Sequence, residues 1–225
     1  YGGTLEYDTL DFPSNKGWRG AFQAGGSCLV FSYLDHLECT QCGKVCSSGR
    51  LSTVSPCCGK VLFARYDLLR LRREVDRDSL RGRPEGMWRF HELLPVWDLA
   101  QVITLGEGGT PLLKAGNLAR KLGLEHLFIK DEGLNPSGTF KARGISAALS
   151  RARVLGATGF TMPSAGNAAG AAAVYCARGG LELKVFMPQD APEANRKECL
   201  LAGVELNLVD GLIGDAGRRS AAVAE

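Results

Sequence analysis

Hydrophobic and polar positions change their rhythm near Gly106. Beyond it, apolar strand-like runs recur at His126 to Lys130, Gly159 to Met162, Leu183 to Met187 and Glu205 to Val209. Each is followed by roughly a dozen residues of helical pattern. Such an alternation reads as a series of βαβ units. Right-handed crossovers then set the strands side by side in a parallel sheet with helices on both faces. An α/β fold is therefore expected over residues 106–225. In a sheet of this kind ligands bind at the carboxyl ends of the strands, so the loops after Lys130 and after Met162 are where chemistry is expected.

Before Gly106 no steady period is found. Residues 1–35 are rich in glycine and aromatics and are expected to form a poorly ordered extension. Residues 36–66 carry paired cysteines, glycines after cysteine and short apolar runs such as Val61-Leu62-Phe63, the pattern of a small β-rich metal module. Residues 67–105 combine an arginine-rich helical stretch with a Gly-Arg-Pro-Glu-Gly break and read as a connector containing a short helix.

Composition narrows the setting. At 225 residues and 45% hydrophobic content the chain can bury one substantial core and carry a small added module. A net charge of +3 without a dense basic block argues against a nucleic-acid partner. The apolar run Cys28 to Leu34 is too short to span a bilayer, so no membrane anchor is expected. Of eight cysteines, five crowd between Cys39 and Cys58, which fits a metal module in a reducing, cytoplasmic setting better than a disulfide framework. The chain starts at Tyr1 without methionine and stops at Glu225 inside an alanine-rich helical pattern, so both ends are expected to be truncated.

Two loops carry candidate chemistry. Asn135-Pro136-Ser137-Gly138-Thr139-Phe140-Lys141-Ala142-Arg143-Gly144 begins with a tight turn at Pro136 and Gly138. Thr139 is the expected N-cap, with Lys141 in the first turn of the next helix. The partial positive charge of a helix N-terminus disfavours an ammonium there and favours the neutral amine that forms a Schiff base. Ser164-Ala165-Gly166-Asn167-Ala168-Ala169-Gly170 follows the next strand and opens the next helix, where backbone N–H groups gather around an anion.

In the cysteine-rich segment, Cys39-Thr40-Gln41-Cys42-Gly43 is one good half of a zinc ribbon, because cysteines separated by two residues both reach one tetrahedral ion. The second half reads Ser55-Pro56-Cys57-Cys58-Gly59, with serine where a first cysteine is expected. Cys58 fits as third ligand, and the fourth is open between Cys57, Cys46 and His36. A zinc held there is structural, since no base or activated-water constellation accompanies it.

The Lys141 loop resembles the cofactor-lysine motif of fold type II pyridoxal-phosphate enzymes, the tryptophan synthase β-like group that includes threonine synthase, threonine dehydratase and cysteine synthase. Ser164 to Ala168 resembles that group's Ser-x-Gly-Asn loop. The segments Met87 to Pro95 and Leu105 to Leu113 are similar to those preceding the cofactor domain in threonine synthases, and some members carry a comparable cysteine-rich lead-in. The resemblance implies that Lys141 binds pyridoxal phosphate covalently and moves protons at the substrate α-carbon. It implies that Asn167 contacts the cofactor's phenolic oxygen, and that Ser164 with the backbone of Ala165, Gly166, Asn167 and Ala168 holds an amino-acid substrate. O-phospho-L-homoserine is the implied substrate and a homo-oligomer the implied assembly. The family's phosphate-binding glycine loop is expected beyond Glu225, and Gly211, Gly214 and Gly217 are read as shaping a strand-to-helix loop. Ala142 and Ala168 depart from the aspartate and threonine usual in threonine synthases, which keeps an ammonia-lyase or a related replacement enzyme in view. An inactive relic with an interaction module is the reading from a different class.

Overall fold

A computed structural model describes residues 31–224 of the protein, so most of the extension expected at residues 1–35 lies outside the described residues. Its last residues are packed. Tyr33 and Leu34 are buried, the Ser32 hydroxyl donates to Leu94 O (2.6 Å), and the Tyr33 amide donates to Glu92 O (2.9 Å).

Strands β1 (Leu34–Cys39), β2 (Val45–Cys46) and β3 (Leu62–Tyr66) form an antiparallel sheet in the order β2-β1-β3. Leu37 faces Cys46 on one side and Ala64 on the other. The connector opens with helix α1 (Leu68–Glu74), whose N-terminus is capped by the Asp67 carboxylate accepting from the Arg70 amide (2.9 Å). It continues through 3-10 turns at Asp78–Leu80, Met87–Leu93 and Leu99–Gln101. Trp88 is fully buried in this stretch, beside Val96 and Val102, whereas Phe90 is half exposed.

The run ending at Lys130 does not join the parallel sheet. Strand β5 (Phe128–Lys130) pairs antiparallel with β4 (Leu112–Lys114), the two being joined through helix α2 (Gly116–Leu122). Periodicity identifies a strand but not its partner. Both three-residue strands are exposed along their whole length, so they lack the two-sided burial that a parallel sheet requires.

The remaining three runs behave as expected. Strands β6 (Gly159–Pro163), β7 (Glu182–Pro188) and β8 (Glu205–Val209) form a parallel sheet in the order β6-β7-β8, with Val185 opposite Met162 and Leu206. Helices α3 (Lys141–Val154), α4 (Asn167–Gly179), α5 (Glu193–Leu201) and α6 (Ile213–Val223) flank it. The two-residue period of β7 sorts them between faces. Val185 and Met187 point into the cluster built from Ala142, Leu149, Ala169, Ala172, Tyr175 and Cys199 of α3, α4 and α5. Phe186 points the other way, toward Ala216 of α6. Gly211 takes a φ of +126° in the loop before α6, but Gly214 and Gly217 lie inside that helix, so only the first of the three shapes the turn. Among the described residues no helix is long and apolar enough to cross a membrane.

Candidate functional site

The segment from Ile103 to Thr110 fixes how α3 and α4 lie. The Ile103 amide donates to Ser150 Oγ (2.8 Å) late in α3, and a Cβ on Gly179, at the end of α4, would stand 2.7 Å from Ile103 Cδ1. Four residues on, the Glu107 carboxylate accepts from Trp88 Nε1 (2.8 Å), itself bonded to Ser146 of α3 (2.9 Å), and from the Tyr175 hydroxyl of α4 (2.6 Å). Ile103 O also accepts from the Ser146 hydroxyl (2.7 Å), whereas a Cβ on Gly108 would stand 3.1 Å from Arg143 Nη1 in the first turn of α3, so stepping from residue 103 to 108 moves back along both helices. The two helices therefore run parallel, and their N-termini share one end. Glu107 is wholly buried, and the Thr104 hydroxyl and Leu105 amide also donate to it (both 3.1 Å). Burial, with Glu107 adding to it, raises the Tyr175 phenol far above its ordinary value and keeps it a donor.

At that shared end stand the two predicted loops. Gly138, with φ of +67°, closes a turn by donating to Asn135 O (2.7 Å). Lys141 is the first residue of α3. The N-cap is Phe140 rather than Thr139, but the Thr139 hydroxyl still accepts from the Lys141 amide (3.2 Å). The Lys141 side chain is exposed, its Nζ 4.4 Å from the centroid of the Phe140 ring, and it makes no ion pair among the described residues.

The second loop follows β6. The Ser164 amide extends the sheet by donating to Phe186 O (3.0 Å), and its buried hydroxyl accepts from the amides of Gly166 (3.3 Å) and Ala169 (3.2 Å). Ser164 therefore caps α4. The first N–H groups of a helix lack partners within it, and those of Asn167 and Ala168 remain at the open end. Asn167 is exposed, with Oδ1 3.4 Å from Asn195 Nδ2 of α5; Ala165 is exposed and Ala168 half-buried.

Sequence reasoning gave no role to the polar lattice beneath the Lys141 loop. The Glu132 carboxylate accepts from Arg143 Nε (2.7 Å) and Nη2 (2.8 Å), from the Thr110 hydroxyl (2.7 Å) and from Asn135 Nδ2 (2.9 Å). The Arg143 bonds, first among these, pull its carboxyl down to about 2. Asn135 Oδ1 in turn accepts from the Gly108 amide (3.0 Å), tying the loop to the Glu107 segment. The signal in the sequence was Arg143, two residues after the lysine.

The sulfurs of Cys39, Cys42, Cys57 and Cys58 all lie within 4.8 Å of one another. Cys46 and His36 are turned elsewhere: Cys46 Sγ donates to Lys44 O (3.7 Å), and His36 Nδ1 meets Asp35 (2.9 Å). The cysteine module touches α3 through Arg151, which donates to Ser48 O and lies 4.0 Å from the Trp97 ring centroid. Arg151 lies ten helical steps beyond Lys141, a distance of about 15 Å, so that contact stands well away from the exposed lysine.

Residues 103–225 match the family model described as pyridoxal-phosphate dependent enzyme. Threonine synthase of Methanocaldococcus jannaschii is 35% identical over 181 residues, covering 80% of this chain and 44% of that protein. Threonine synthase of Methanosarcina acetivorans is 32% identical over 182 residues, again covering 80% and 44%. The chain thus spans less than half the length of these curated relatives. A crystal structure of diaminopropionate ammonia lyase from Escherichia coli in complex with D-serine matches with a TM-score of 0.50 at 20% identity, over 54% of this chain and 36% of that one, a likeness of fold. The matched stretch takes in the segment that sets α3 beside α4, both candidate loops and the whole parallel sheet, and this chain belongs to the pyridoxal-phosphate dependent enzyme family.

Proposed function

We propose that the chain carries the cofactor lysine of a threonine synthase that converts O-phospho-L-homoserine and water to L-threonine and phosphate. The observation that carries this reading is the parallel setting of α3 and α4, which brings exposed Lys141 and Asn167 to one end of the helix pair; the similarity to the two threonine synthases supports the choice of enzyme. The residues at this end suit the cofactor. Among the described residues a primary amine stands free of ion pairs at the start of α3, and the N–H groups of Asn167 and Ala168 at the start of α4 have no hydrogen-bond partner. When bound, pyridoxal phosphate supplies the electron sink for charge at the substrate α-carbon. Lys141 Nζ would hold it covalently and would then move the substrate's α-proton, and the Asn167 side-chain amide would help to hold it. Ser164 Oγ now accepts from the amides of Gly166 and Ala169 in capping α4, and an incoming carboxylate, at the level of Ala165, Gly166 and Ala168, takes over an amide and draws the hydroxyl round as a second donor.

One observation favours a second reading, an ammonia-lyase acting on threonine or serine. Ala168 offers no hydroxyl to a substrate phosphate. Ala142 does not discriminate, because it is fully buried in the helix cluster, where an aspartate would be a buried charge. In its full-length form the protein incubated with pyridoxal phosphate and borohydride is expected to carry a reduced label on Lys141 by peptide mass, and to release phosphate from O-phospho-L-homoserine; residues 1–225 alone are expected to bind the cofactor weakly or not at all and to be inactive. Formation of 2-oxo acid from threonine or serine without phosphate release would overturn the substrate while leaving Lys141 its role. The four clustered thiols are proposed to hold one structural zinc ion, which the module's small size calls for.

A further inference from the structure

The two cysteine turns repeat one another bond for bond. In the first, the Cys39 amide donates to Lys44 O (2.9 Å), the Gly43 amide to Cys39 O (2.9 Å), and Gly43 has a φ of +71°. In the second, the Ser55 amide donates to Lys60 O (2.7 Å), the Gly59 amide to Ser55 O (2.9 Å), and Gly59 has a φ of +61°. This repeat pairs Cys42 with Cys58 and Cys39 with Ser55. The latter two are the innermost residues of the module, each 1% exposed, with Cys39 Sγ 3.2 Å from Ser55 Oγ. The place that symmetry assigns to a fourth thiolate therefore holds a hydroxyl. Cys57 belongs to neither equivalent position and is exposed, yet its Sγ comes within 3.5 Å of Cys42 Sγ. Zinc–sulfur bonds of about 2.3 Å in a tetrahedron place sulfurs about 3.8 Å apart, close to that separation.

Building on the zinc reading above, we infer that the module is a three-plus-one site. Cys39, Cys42 and Cys58, set by the paired turns, hold the ion firmly. Cys57 supplies an exchangeable fourth thiolate from the solvent side, and Ser55 holds Cys39 by a hydrogen bond from the position symmetry assigns to a ligand. The fourth ligand is thus the weak point of the site, and its weakness is a property of residue 55.

The test uses the whole chain loaded with Zn²⁺ in competition with a chromophoric chelator, and with Co²⁺ to read thiolate charge-transfer and tetrahedral d–d absorption. Cys57→Ser is expected to weaken zinc by more than the roughly tenfold that loss of an outer-shell partner costs, with diminished charge-transfer intensity. Ser55→Cys is expected to tighten zinc by about tenfold or more, and in that background Cys57→Ser is expected to change affinity by less than about threefold. A non-additive cycle of this kind is the signature of one coordination place filled from two positions. Unchanged affinity in Cys57→Ser with a loss in Ser55→Ala would overturn the inference by making the hydroxyl itself the ligand. Zinc bound by Ser55→Cys but not by the natural sequence would overturn the role of Cys57 while keeping the symmetry of the turns. Zinc bound by neither would sink the zinc reading as well.

Discussion

Around the parallel sheet thirteen buried residues form one apolar cluster, whereas between Leu34 and Tyr66 only Leu34, Cys39 and Ser55 are buried. In that second region Val45, Leu51, Val54, Val61 and Phe63 are all half exposed or more. The difference follows from size. A segment of about three dozen residues has too little interior to offset its chain entropy by apolar burial, and domains that small need a metal or another cross-link. The α/β region instead buries alternate faces of β7 against α4 and α6 and spends its polar groups on placing the ends of helices. One region positions chemistry through packing; the other has little core and gathers four sulfurs, on which the proposed zinc rests.

The largest expected effect would break that contrast outright. Removing zinc with a strong chelator, or Cys58→Ala, is expected to strip hydrogen-exchange protection from the Cys39, Gly43, Ser55 and Gly59 amides, since apparent structural-zinc energies run to about 10–16 kcal/mol in small modules. Protection in β7 is expected to remain. Equal loss in both regions would show that the module is integral to the larger core and not a separately held unit.

Next in size is a lesion on the other side of the comparison. Glu107→Ala removes the acceptor shared by Trp88, Tyr175, Thr104 and Leu105, and each buried donor left without a partner costs about 1–3 kcal/mol. A destabilisation of about 4 kcal/mol is expected in chemical denaturation. The Co²⁺ spectrum of the cysteine module is expected to stay unchanged. A loss under about 1 kcal/mol would mean that this segment does not hold α3 beside α4.

These two effects also mark what was legible in the sequence. The alternation after Gly106 gave the three parallel strands and the helices between them, because strand runs spaced by helical stretches mark successive crossovers, even though only β7 is buried along most of its length. It misassigned the partner of Phe128–Lys130, since a short exposed strand carries no such signature. The loops holding Lys141 and Asn167 were legible from their turn residues and from resemblance. Glu107 and Glu132 were not, because a carboxylate that gathers four donors looks the same in sequence as a solvated one. In the cysteine segment the spacing left three candidates for the fourth ligand, and only the fold brings Cys57 to the cluster while turning Cys46 and His36 away.

A smaller effect tests the lattice under the lysine loop by pH. The Glu132 carboxyl ordinarily titrates near 4.5 and is held down to about 2, chiefly by Arg143. A depressed folded value means that its contribution is fully present above 4.5 and is lost as pH falls from there through 2. With the two side chains 26% and 31% exposed, about 1 kcal/mol is expected at neutral pH. Wild type and Glu132→Gln should differ in denaturation midpoint at pH 7 and converge toward pH 2. A constant difference across that range would assign the effect to packing rather than charge.

The smallest effect on stability is the most informative about chemistry, because it separates two uses of one hydroxyl. Ser164 caps α4 through the amides of Gly166 and Ala169, and loss of such a cap typically costs about 1 kcal/mol, so Ser164→Ala should remain folded. If the hydroxyl also serves the substrate carboxylate, a hydrogen bond to a charged group worth about 1.5–3 kcal/mol disappears from the reacting complex. That corresponds to a fall of about ten- to a hundredfold in kcat/KM, well beyond anything that a slightly less stable but fully folded enzyme would show. Ser164→Ala is therefore expected to lower kcat/KM for O-phospho-L-homoserine more than tenfold while the denaturation midpoint moves little. Asn167→Ala, which removes no cap, should leave stability alone and shift the absorption of the bound cofactor. An unchanged kcat/KM in Ser164→Ala would confine the serine to shaping the helix start, and substrate recognition would then rest on the backbone amides of that turn.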